Sequence, residues 1–207
     1  MQIPETEFNL GLSESVDSVG ILFSGGVEST LLLLLLQIES LKKNFSITAF
    51  NIENKNLYEK NCKKILSDPF FENVKFISNV PNDNDFTGKI RSGISWVLQQ
   101  PNLDLVYLGI NKNPDMNFLG APLRRTAAEL APYKRLRYPF LNLTKDKIVK
   151  YFNDIQNMYD LDLMRYTHSC TFQPMGQCGK CFQCLERDWA FKKNNLLDPF
   201  FLKLDVD

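Results

Sequence analysis

Apolar runs of strand length alternate with segments of helical periodicity along most of this chain. Four apolar runs predict β-strands, at residues 19–23, 47–52, 74–77 and 103–110. Four other segments space their apolar residues as helices do, at 57–66, 88–98, 122–130 and 145–152. Because alternating strands and helices build a parallel sheet, the pattern predicts an α/β fold whose ligands bind beyond the carboxyl ends of the strands.

The helix predicted after the first strand is apolar on all its sides, since six leucines follow one another at 31–36. Such a pattern is typical of a buried helix rather than of an amphipathic surface helix. The run is too short, and is followed too soon by charged residues, to cross a bilayer. The first 18 residues are polar and acidic and lack the pattern of a signal peptide. We therefore expect a soluble, cytoplasmic protein.

The segment that joins the first strand to this helix is Ser24-Gly25-Gly26-Val27-Glu28-Ser29-Thr30. Two adjacent glycines at a strand-to-helix turn let the backbone approach a bulky anion. The N–H groups that open the helix have no intrahelical partner and lie at the positive end of the helix dipole. The segment therefore predicts an anion-binding loop, with a spacing that differs from GxxxxGK[ST] and GxGxxG.

The chain carries 24 basic and 24 acidic residues, so that its net charge is zero and broad binding to a nucleic-acid backbone is disfavoured. Four of its five cysteines lie close together, at Cys170, Cys178, Cys181 and Cys184. Such a cluster in a cytosolic chain indicates a metal site rather than disulfides. Four thiolates close the tetrahedral shell of a structural Zn²⁺ ion, and an iron–sulfur cluster is the alternative that the cysteine count leaves open.

From about Met158 onward the chain shows no strand pattern and contains the four clustered cysteines. The predicted organisation is therefore a sheet domain at 1–157 and a small helical, zinc-binding lobe at 158–207 that packs on it. Cys62 lies on the apolar face of its predicted helix, so that we expect it in the hydrophobic core. The phenylalanine-rich segments at 69–71 and 199–202 are candidates for internal packing or for a dimer surface.

The glycine segment resembles the SGGxDS pyrophosphate loop of the ATP pyrophosphatase superfamily, whose members have a Rossmann-like sheet and split ATP into AMP and pyrophosphate. Together with the cysteine cluster it resembles one family, the 7-cyano-7-deazaguanine (preQ0) synthases of queuosine biosynthesis. The second segment that carries the likeness runs from Thr167-His168-Ser169-Cys170 to Cys178-Gly179-Lys180-Cys181-Phe182-Gln183-Cys184. The chain departs from the family at Glu28, where the family has Asp, and in the segment that follows Gly109-Ile110-Asn111.

The resemblance implies an ATP-dependent carbon–nitrogen ligase that uses Mg²⁺ and Zn²⁺ to turn 7-carboxy-7-deazaguanine and ammonia into the nitrile preQ0. It implies roles for Glu28 as a Mg²⁺ ligand and for Arg91 at the phosphates. His168, the single histidine of the chain, is a candidate for acid–base catalysis. The implied nucleotide-binding residues are Ser24, Gly25, Gly26, Val27, Ser29, Thr30, Phe50, Asn51, Ile52, Gly109 and Asn111. The implied deazapurine-binding residues are Asp115, Thr167 and Ser169, and the implied metal ligands are Cys170, Cys178, Cys181 and Cys184.

Each of these residues also has an ordinary structural explanation. Glu28 is an acid that the helix dipole favours in a first turn, Arg91 a solvated arginine near a helix end, and His168 a structural residue beside the cysteines. The alternative functions are the transfer of a deazapurine to a protein or a nucleic acid, which relatives in antiviral defence operons resemble, and tRNA thiolation, which needs a reactive cysteine pair. The family also implies a homodimer.

Overall fold

The computed structural model describes residues 7–52, 58–80, 93–114, 133–173 and 176–200 of the 207-residue chain. In these ranges five strands form one sheet: β1 (Ser18–Leu22), β2 (Ser46–Ile52), β3 (Val74–Val80), β4 (Leu105–Leu108) and β5 (Leu136–Arg137). The order of the strands is β3-β2-β1-β4-β5, and each neighbouring pair is parallel. The predicted α/β fold, a parallel sheet flanked by helices, is confirmed.

The helices of the described ranges are α1 (Val27–Lys43), α2 (Glu59–Leu66), α3 (Lys145–Met158) and α4 (Phe182–Lys193). Short 3-10 helices cover Pro69–Phe71 and Met164–Tyr166, and residues 93–98 are helical. The helix predicted at 88–98 is therefore described only from residue 93, and the one predicted at 122–130 lies outside the described residues. No apolar run predicted β5, because this strand contributes only two residues to the sheet.

The strand order places a topological switch between β1 and β4. From β1 the sheet extends through β2 and β3 on one side, and through β4 and β5 on the other. The connections that follow β1 and β4 therefore diverge and leave a crevice between the carboxyl ends of these strands. The glycine segment follows β1, and Gly109-Ile110-Asn111 follows β4, at this same edge. The fold thus brings two of the predicted nucleotide-binding segments together.

Helix α1 runs through the hydrophobic core. Its residues 31–36 are each at most 1% exposed, and they share a cluster with sheet residues such as Ile21 and Ala49. The helix ends at Asn44, which adopts a left-handed conformation (φ 56°) and donates its N–H to the carbonyl of Ser40. The leucine run thus forms a buried helix, as predicted. Among the helices of the described ranges, none combines the length and hydropathy that a bilayer span requires.

The C-terminal part of the chain packs onto the same core as the sheet. Helix α4 lies against α3, and its Ala190 and Phe191 join the cluster that contains the leucines of α1. Leu163 and Met164, which precede the cysteines, belong to that cluster as well. Apolar burial therefore holds both ends of the cysteine segment close to the sheet. A division into two domains after residue 157 stays a prediction.

Candidate functional site

The glycine loop, defined as residues 24–26, turns the chain from β1 into α1. Gly25 has a φ of 70°, a backbone conformation that residues with a side chain rarely adopt. A Cβ at this position would lie 3.3 Å from Sγ of Cys62. Gly26 is the N-cap of α1, and no side chain caps the helix there. Such a helix start suits an anionic ligand, because its N–H groups lie at the positive end of the helix dipole.

Two serine hydroxyls close the glycine loop on itself. Oγ of Ser24 and Oγ of Ser29 lie 3.1 Å apart, and the N–H of Gly26 donates to Oγ of Ser24 (3.4 Å). Oγ of Ser29 also donates to the carbonyl of Gly26 (3.3 Å). Oγ1 of Thr30 is buried and has no hydrogen-bond partner within the described ranges, and Val27 is buried completely. The loop thus has a defined shape, and Val27 can offer a ligand only its backbone.

The end of β4 lies directly against the first turn of α1. A Cβ on Gly109 would be 3.0 Å from the nitrogen of Ser29 and 3.1 Å from Cβ of Glu28. These distances are tighter than ordinary Cβ contacts, so that the close approach of the two segments needs a glycine. Asn111 is buried, and its Nδ2 donates to Oε1 of Glu186 in α4 (3.2 Å). Gly109 and Asn111 therefore shape the crevice at the switch point.

Lys145 forms a buried ion triad with Glu28 and Glu186. Its Nζ lies 2.9 Å from Oε1 of Glu28 and 2.9 Å from Oε2 of Glu186, and its side chain is 3% exposed. Burial by itself would lower the pKa of Lys145, but the two carboxylates raise this pKa above its ordinary value. The ammonium therefore stays charged, and it holds the predicted Mg²⁺ ligand Glu28 at the first turn of α1.

Sequence reasoning missed Lys145 and Glu186. Lys145 is the first residue of α3, and Glu186 lies in the second turn of α4. The two residues meet because α3 and α4 pack side by side, and no motif of short spacing in the sequence indicates this contact. One weak signal exists: the helix dipole disfavours a lysine directly after the N-cap Thr144, so that a lysine there needs an acidic partner.

The end of β2 is tied to the strand that leads into the glycine loop. The carbonyl of Phe50 accepts the N–H of Phe23 (2.8 Å), and Nδ2 of Asn51 donates to the carbonyl of Phe23 (2.8 Å). The same Nδ2 lies 3.3 Å from Sγ of Cys62, which is in the core, as predicted. Burial raises the pKa of this thiol, so that it stays protonated. Contact of Phe50, Asn51 and Ile52 with adenine stays a prediction.

His168 connects the cysteine segment to the glycine loop. Its backbone N–H donates to the carbonyl of Gly25 (2.8 Å), and its Nε2 lies 2.9 Å from the carbonyl of Cys170, which assigns the ring proton to Nε2. Nδ1 is buried and lacks a hydrogen-bond partner among the described residues, so that it presents a lone pair. The rings of Tyr58 and Phe200 lie 5.6 and 6.0 Å away. Burial lowers the pKa of His168 and thus favours the neutral ring.

Thr167 and Ser169 both contact Arg187 of α4. Nη1 of Arg187 lies 2.8 Å from Oγ1 of Thr167 and 3.4 Å from Oγ of Ser169. The other guanidinium nitrogens form a bidentate pair with Asp198, at 2.5 and 2.7 Å. Because Arg187 is 1% exposed and forms hydrogen bonds through all three of its guanidinium nitrogens, it fixes the segment that precedes the first clustered cysteine. A contact of Thr167 or Ser169 with a deazapurine stays a prediction.

The four clustered cysteines come together as a candidate metal site. Their Sγ atoms all lie within 4.8 Å of one another. The backbone N–H groups of Lys180 and Cys181 point at Sγ of Cys178, at 3.5 and 3.3 Å. These donors hold the pKa of the Cys178 thiol below its ordinary value, which favours the thiolate that metal binding requires. The chemistry and the convergence of the four sulfurs therefore suit a metal.

One pair of the clustered sulfurs has the spacing that a single tetrahedral ion requires. Zn–S bonds of about 2.3 Å in a tetrahedron place the sulfurs about 3.8 Å apart, and Sγ of Cys178 and Sγ of Cys184 lie 3.9 Å apart. A four-iron cluster has one iron atom under each cysteine and so needs a wider set of thiolates. Outside the sulfurs, the hydroxyl of Tyr58 donates to the carbonyl of Cys170 (3.0 Å) and supports this ligand from behind.

The structure gathers most of the predicted site residues at one edge of the sheet. The glycine loop, the ends of β2 and β4, and residues 167–169 meet there through the contacts described above. Arg91 and Asp115, the predicted phosphate and substrate contacts, lie outside the described residues.

Comparisons with known proteins show which proteins this chain is similar to. Residues 123–195, a range that contains Lys145 and the four clustered cysteines, match the family model described as queuosine biosynthesis protein QueC. The 7-cyano-7-deazaguanine synthase of Methanococcus vannielii is 28% identical over 175 residues, which cover 77% of this chain and 71% of that protein. The 7-cyano-7-deazaguanine synthase of Methanocaldococcus jannaschii is 24% identical over 68% of this chain and 63% of its own length.

Among solved structures, a similar one is that of the U34-tRNA thiolase NcsA from Methanococcus maripaludis with its [4Fe-4S] cluster. The match covers 92% of this chain and 72% of that chain, with 18% identity and a TM-score of 0.48. A likeness of this strength carries no argument about function. The match to the family model and the similarity to the two synthases, in a chain with a parallel sheet and a four-cysteine site, support a relationship of this chain to the QueC-like family.

Proposed function

We propose that this chain uses ATP to convert 7-carboxy-7-deazaguanine and ammonia into 7-cyano-7-deazaguanine, with release of AMP and pyrophosphate. The observation that carries the proposal is the glycine loop at the switch point of the sheet, in a chain whose relatives are named 7-cyano-7-deazaguanine synthases. An uncapped helix start with two hydroxyls beside it suits the binding of pyrophosphate.

The first half of the proposed reaction makes an amide. A carboxylate oxygen of the substrate attacks the α-phosphorus of ATP, and the bond to the bridging oxygen breaks as pyrophosphate leaves. Ammonia then adds to the activated carbonyl carbon, and AMP departs with the original carboxylate oxygen. The nitrogen gives up one proton in this exchange. Adenylation is needed because an oxide ion is a very poor leaving group, whereas AMP is a good one.

The second half removes the remaining oxygen. The amide oxygen attacks the α-phosphorus of a second ATP, and pyrophosphate leaves as before. AMP then departs with that oxygen while the nitrogen loses its two remaining protons, which gives the nitrile. Two AMP molecules are therefore expected for each nitrile. Both halves need the same alignment of the α-phosphorus, an oxygen nucleophile and a departing pyrophosphate, so that one nucleotide site serves both.

Residues of the chain supply positioning and charge in this proposal. The N–H groups of the glycine loop and the hydroxyls of Ser24 and Ser29 hold the departing pyrophosphate. Arg91 adds positive charge at the phosphates, and the backbone at the end of β2 meets adenine. Nδ1 of His168 accepts a proton from the reacting nitrogen, because it is a buried lone pair on a residue that contacts the glycine loop.

Two metals complete the proposed site. Mg²⁺ at Glu28 supplies charge neutralisation at the phosphate oxygens, and a carboxylate that is 15% exposed beside the glycine loop suits this hard cation. Zn²⁺ at the four cysteines would have a closed shell and hence a structural role. It would hold the segment that carries His168 next to the glycine loop.

Transfer of a deazapurine to a protein or a nucleic acid is a second candidate that uses the same ATP site. Two departures from the family pattern favour this second candidate: the glutamate at position 28 and the segment after Asn111. The first lies at the predicted metal ligand, and the second lies at the predicted substrate site. tRNA thiolation has less support. Four of the five cysteines form one cluster, and Cys62 is buried with a protonated thiol.

The test incubates the metal-loaded protein with 7-carboxy-7-deazaguanine, ATP, Mg²⁺ and ammonium, and follows the products by mass spectrometry. The proposal predicts free nitrile and AMP in a ratio of one to two. Formation of no nitrile by a folded, metal-loaded protein would overturn it. A deazapurine adduct on an added protein or tRNA, without free nitrile, would establish the second candidate instead.

A further inference from the structure

Two contacts tie the cysteine cluster to the start of α1. Just before the cluster, the N–H of His168 donates to the carbonyl of Gly25 (2.8 Å). Just after the cluster, Glu186 binds Lys145, and Lys145 binds Glu28 (2.9 Å each). The first contact is an ordinary backbone hydrogen bond. The second uses three charged side chains.

The packing of α3 against α4 does not by itself require a buried ion triad. The side chain of Lys145 is 3% exposed and that of Glu186 is 2% exposed, so that both charges have lost most of their water. Buried ion pairs of this kind are on average no more stabilising than apolar side chains of the same size. The start of α3 is also a poor place for a cation. Apolar residues would join α3 to α4 equally well, but they would not fix a carboxylate at the glycine loop.

Lys145 divides its ammonium between the two carboxylates. The two Nζ–O distances are equal, so that neither carboxylate holds the lysine alone. Glu28 is the more accessible partner, because its side chain is 15% exposed against 2% for Glu186. A carboxylate that shares its cation with a second carboxylate binds a metal ion more readily than a carboxylate in an exclusive ion pair. The reason is that metal binding then disrupts less electrostatic attraction between the carboxylate and the cation.

We propose that Lys145 is a positioning residue for the nucleotide site. It fixes the carboxylate of Glu28 beside the glycine loop, and Glu186 prevents an exclusive Lys145–Glu28 pair that would compete with Mg²⁺. This inference rests on the proposed function and extends it to Lys145 and Glu186, two residues outside the site that the sequence predicted. It also makes Mg²⁺ binding depend on a residue of α4, the helix that carries Cys184.

Removing the charge of Glu186 distinguishes a positioning role of Lys145 from a purely structural role. Glu186→Gln keeps the shape of the side chain and one oxygen that can still accept the hydrogen bond of Asn111 Nδ2, but it removes the charge, so that Glu28 becomes the single charged partner that the triad offers Lys145. Mg²⁺ must then displace a stronger pair, and its binding weakens although Glu186 is not a ligand. If the triad only held α3 and α4 together, the substitution would lower the melting temperature and leave the Mg²⁺ dependence of nucleotide binding unchanged.

The experiment measures the binding of α,β-methylene-ATP by calorimetry over a series of Mg²⁺ concentrations. For Glu186→Gln we expect the Mg²⁺ midpoint to rise about tenfold, the change expected when one charge-assisted hydrogen bond is redistributed. Glu186→Asp keeps the charge, but its shorter side chain places the carboxylate farther from Lys145. For this variant we expect the Mg²⁺ midpoint to rise about threefold. The matched control is Lys150→Met. Lys150 is an exposed lysine of α3 that pairs with Asp154, and its substitution should leave the Mg²⁺ midpoint unchanged. Metal content and melting temperature are measured for every variant.

The outcomes separate this inference from the proposed function. If the wild type binds the analogue and Glu186→Gln has the wild-type Mg²⁺ midpoint, the inference is wrong and the proposed function stands. If the wild type does not bind the analogue at any Mg²⁺ concentration, the proposed function itself fails. Should Glu186→Gln not fold, Glu186→Asp decides, and an unchanged midpoint in that variant contradicts the inference.

Discussion

A single methyl group at Gly109 should disturb the nucleotide site more than it disturbs the fold. The change is Gly109→Ala at the end of β4. The new Cβ would lie 3.0 Å from the backbone nitrogen of Ser29 and 3.1 Å from the carbonyl carbon and Cβ of Glu28. Two of these three atoms are backbone atoms of the first turn of α1, so that no side-chain rotation relieves the contact.

The structure sets the size of the expected effect. To restore ordinary contact, the first turn of α1 must move away from β4 by a few tenths of an ångström. Overpacking of this kind costs about 1–3 kcal/mol of folding free energy. The same movement displaces the N–H groups and the hydroxyl of Ser29 that hold pyrophosphate in our proposal. Loss of one such charge-assisted hydrogen bond corresponds to about ten- to a hundredfold weaker nucleotide binding.

Gly20→Ala is a matched control for this prediction. Its new Cβ in β1 would lie 2.8 Å from Cδ1 of Leu103 and 3.0 Å from Cε2 of Phe50, so that it also overpacks the protein. These neighbours are side-chain atoms, whereas the part of Phe50 that our proposal assigns to adenine binding is its backbone. Urea denaturation should show that both variants lose stability, and calorimetry with α,β-methylene-ATP should show weaker binding only for Gly109→Ala. Equal nucleotide affinities in the two variants would refute the reasoning.

Three further predictions concern stability. Removal of the metal by a chelator should lower the melting temperature, because a metal that binds the four converging cysteines only in the folded state stabilises that state by its binding free energy; an unchanged melting temperature would count against a metal at the cysteines. Asn51→Leu should cost about 1–3 kcal/mol in urea denaturation, since the buried Phe23 carbonyl loses its amide donor and keeps only the weak thiol donor of Cys62 (3.5 Å); an unchanged urea midpoint would contradict this. Backbone N–H groups of Asp17 and Ser18 hold the pKa of the Asp104 carboxyl below its ordinary value. This carboxyl is exposed and screened by solvent, so that Asp104→Ala should cost less than about 1 kcal/mol at pH 7. The difference should shrink as the pH falls from about 4 through the lowered pKa of the folded wild type, and a constant difference down to pH 2 would contradict this.

Features that depend on neighbouring residues could be predicted from the sequence. The first three strands, the buried helix α1 and the glycine loop each follow from a short run whose pattern has one structural explanation. The four cysteines lie close enough in the chain that their spacing alone predicted their convergence. Gly109 and Asn111 were brought to the glycine loop by the topology of a parallel sheet, which the alternation of elements already implied.

Features that depend on distant residues could not be predicted in the same way. β5 contributes two residues to the sheet, which is too few for a hydrophobic pattern. The pairs of Lys145 with Glu186 and of Arg187 with Asp198 join different elements, and only packing reveals that these charges meet. The likeness to the synthase family singled out Glu28 as a metal ligand, but it did not indicate that a lysine of the chain already binds this carboxylate.

The position at which ATP is cleaved tests the central claim most directly. The metal-loaded protein is mixed with ATP, Mg²⁺, 7-carboxy-7-deazaguanine and ammonium, and the nucleotide products are separated by chromatography. If the glycine loop holds the leaving pyrophosphate, AMP and pyrophosphate appear only when the substrate is present, and a variant in which Ser24 and Ser29 are both alanine forms neither. The appearance of ADP and phosphate, or no cleavage by the folded protein, would contradict the claim.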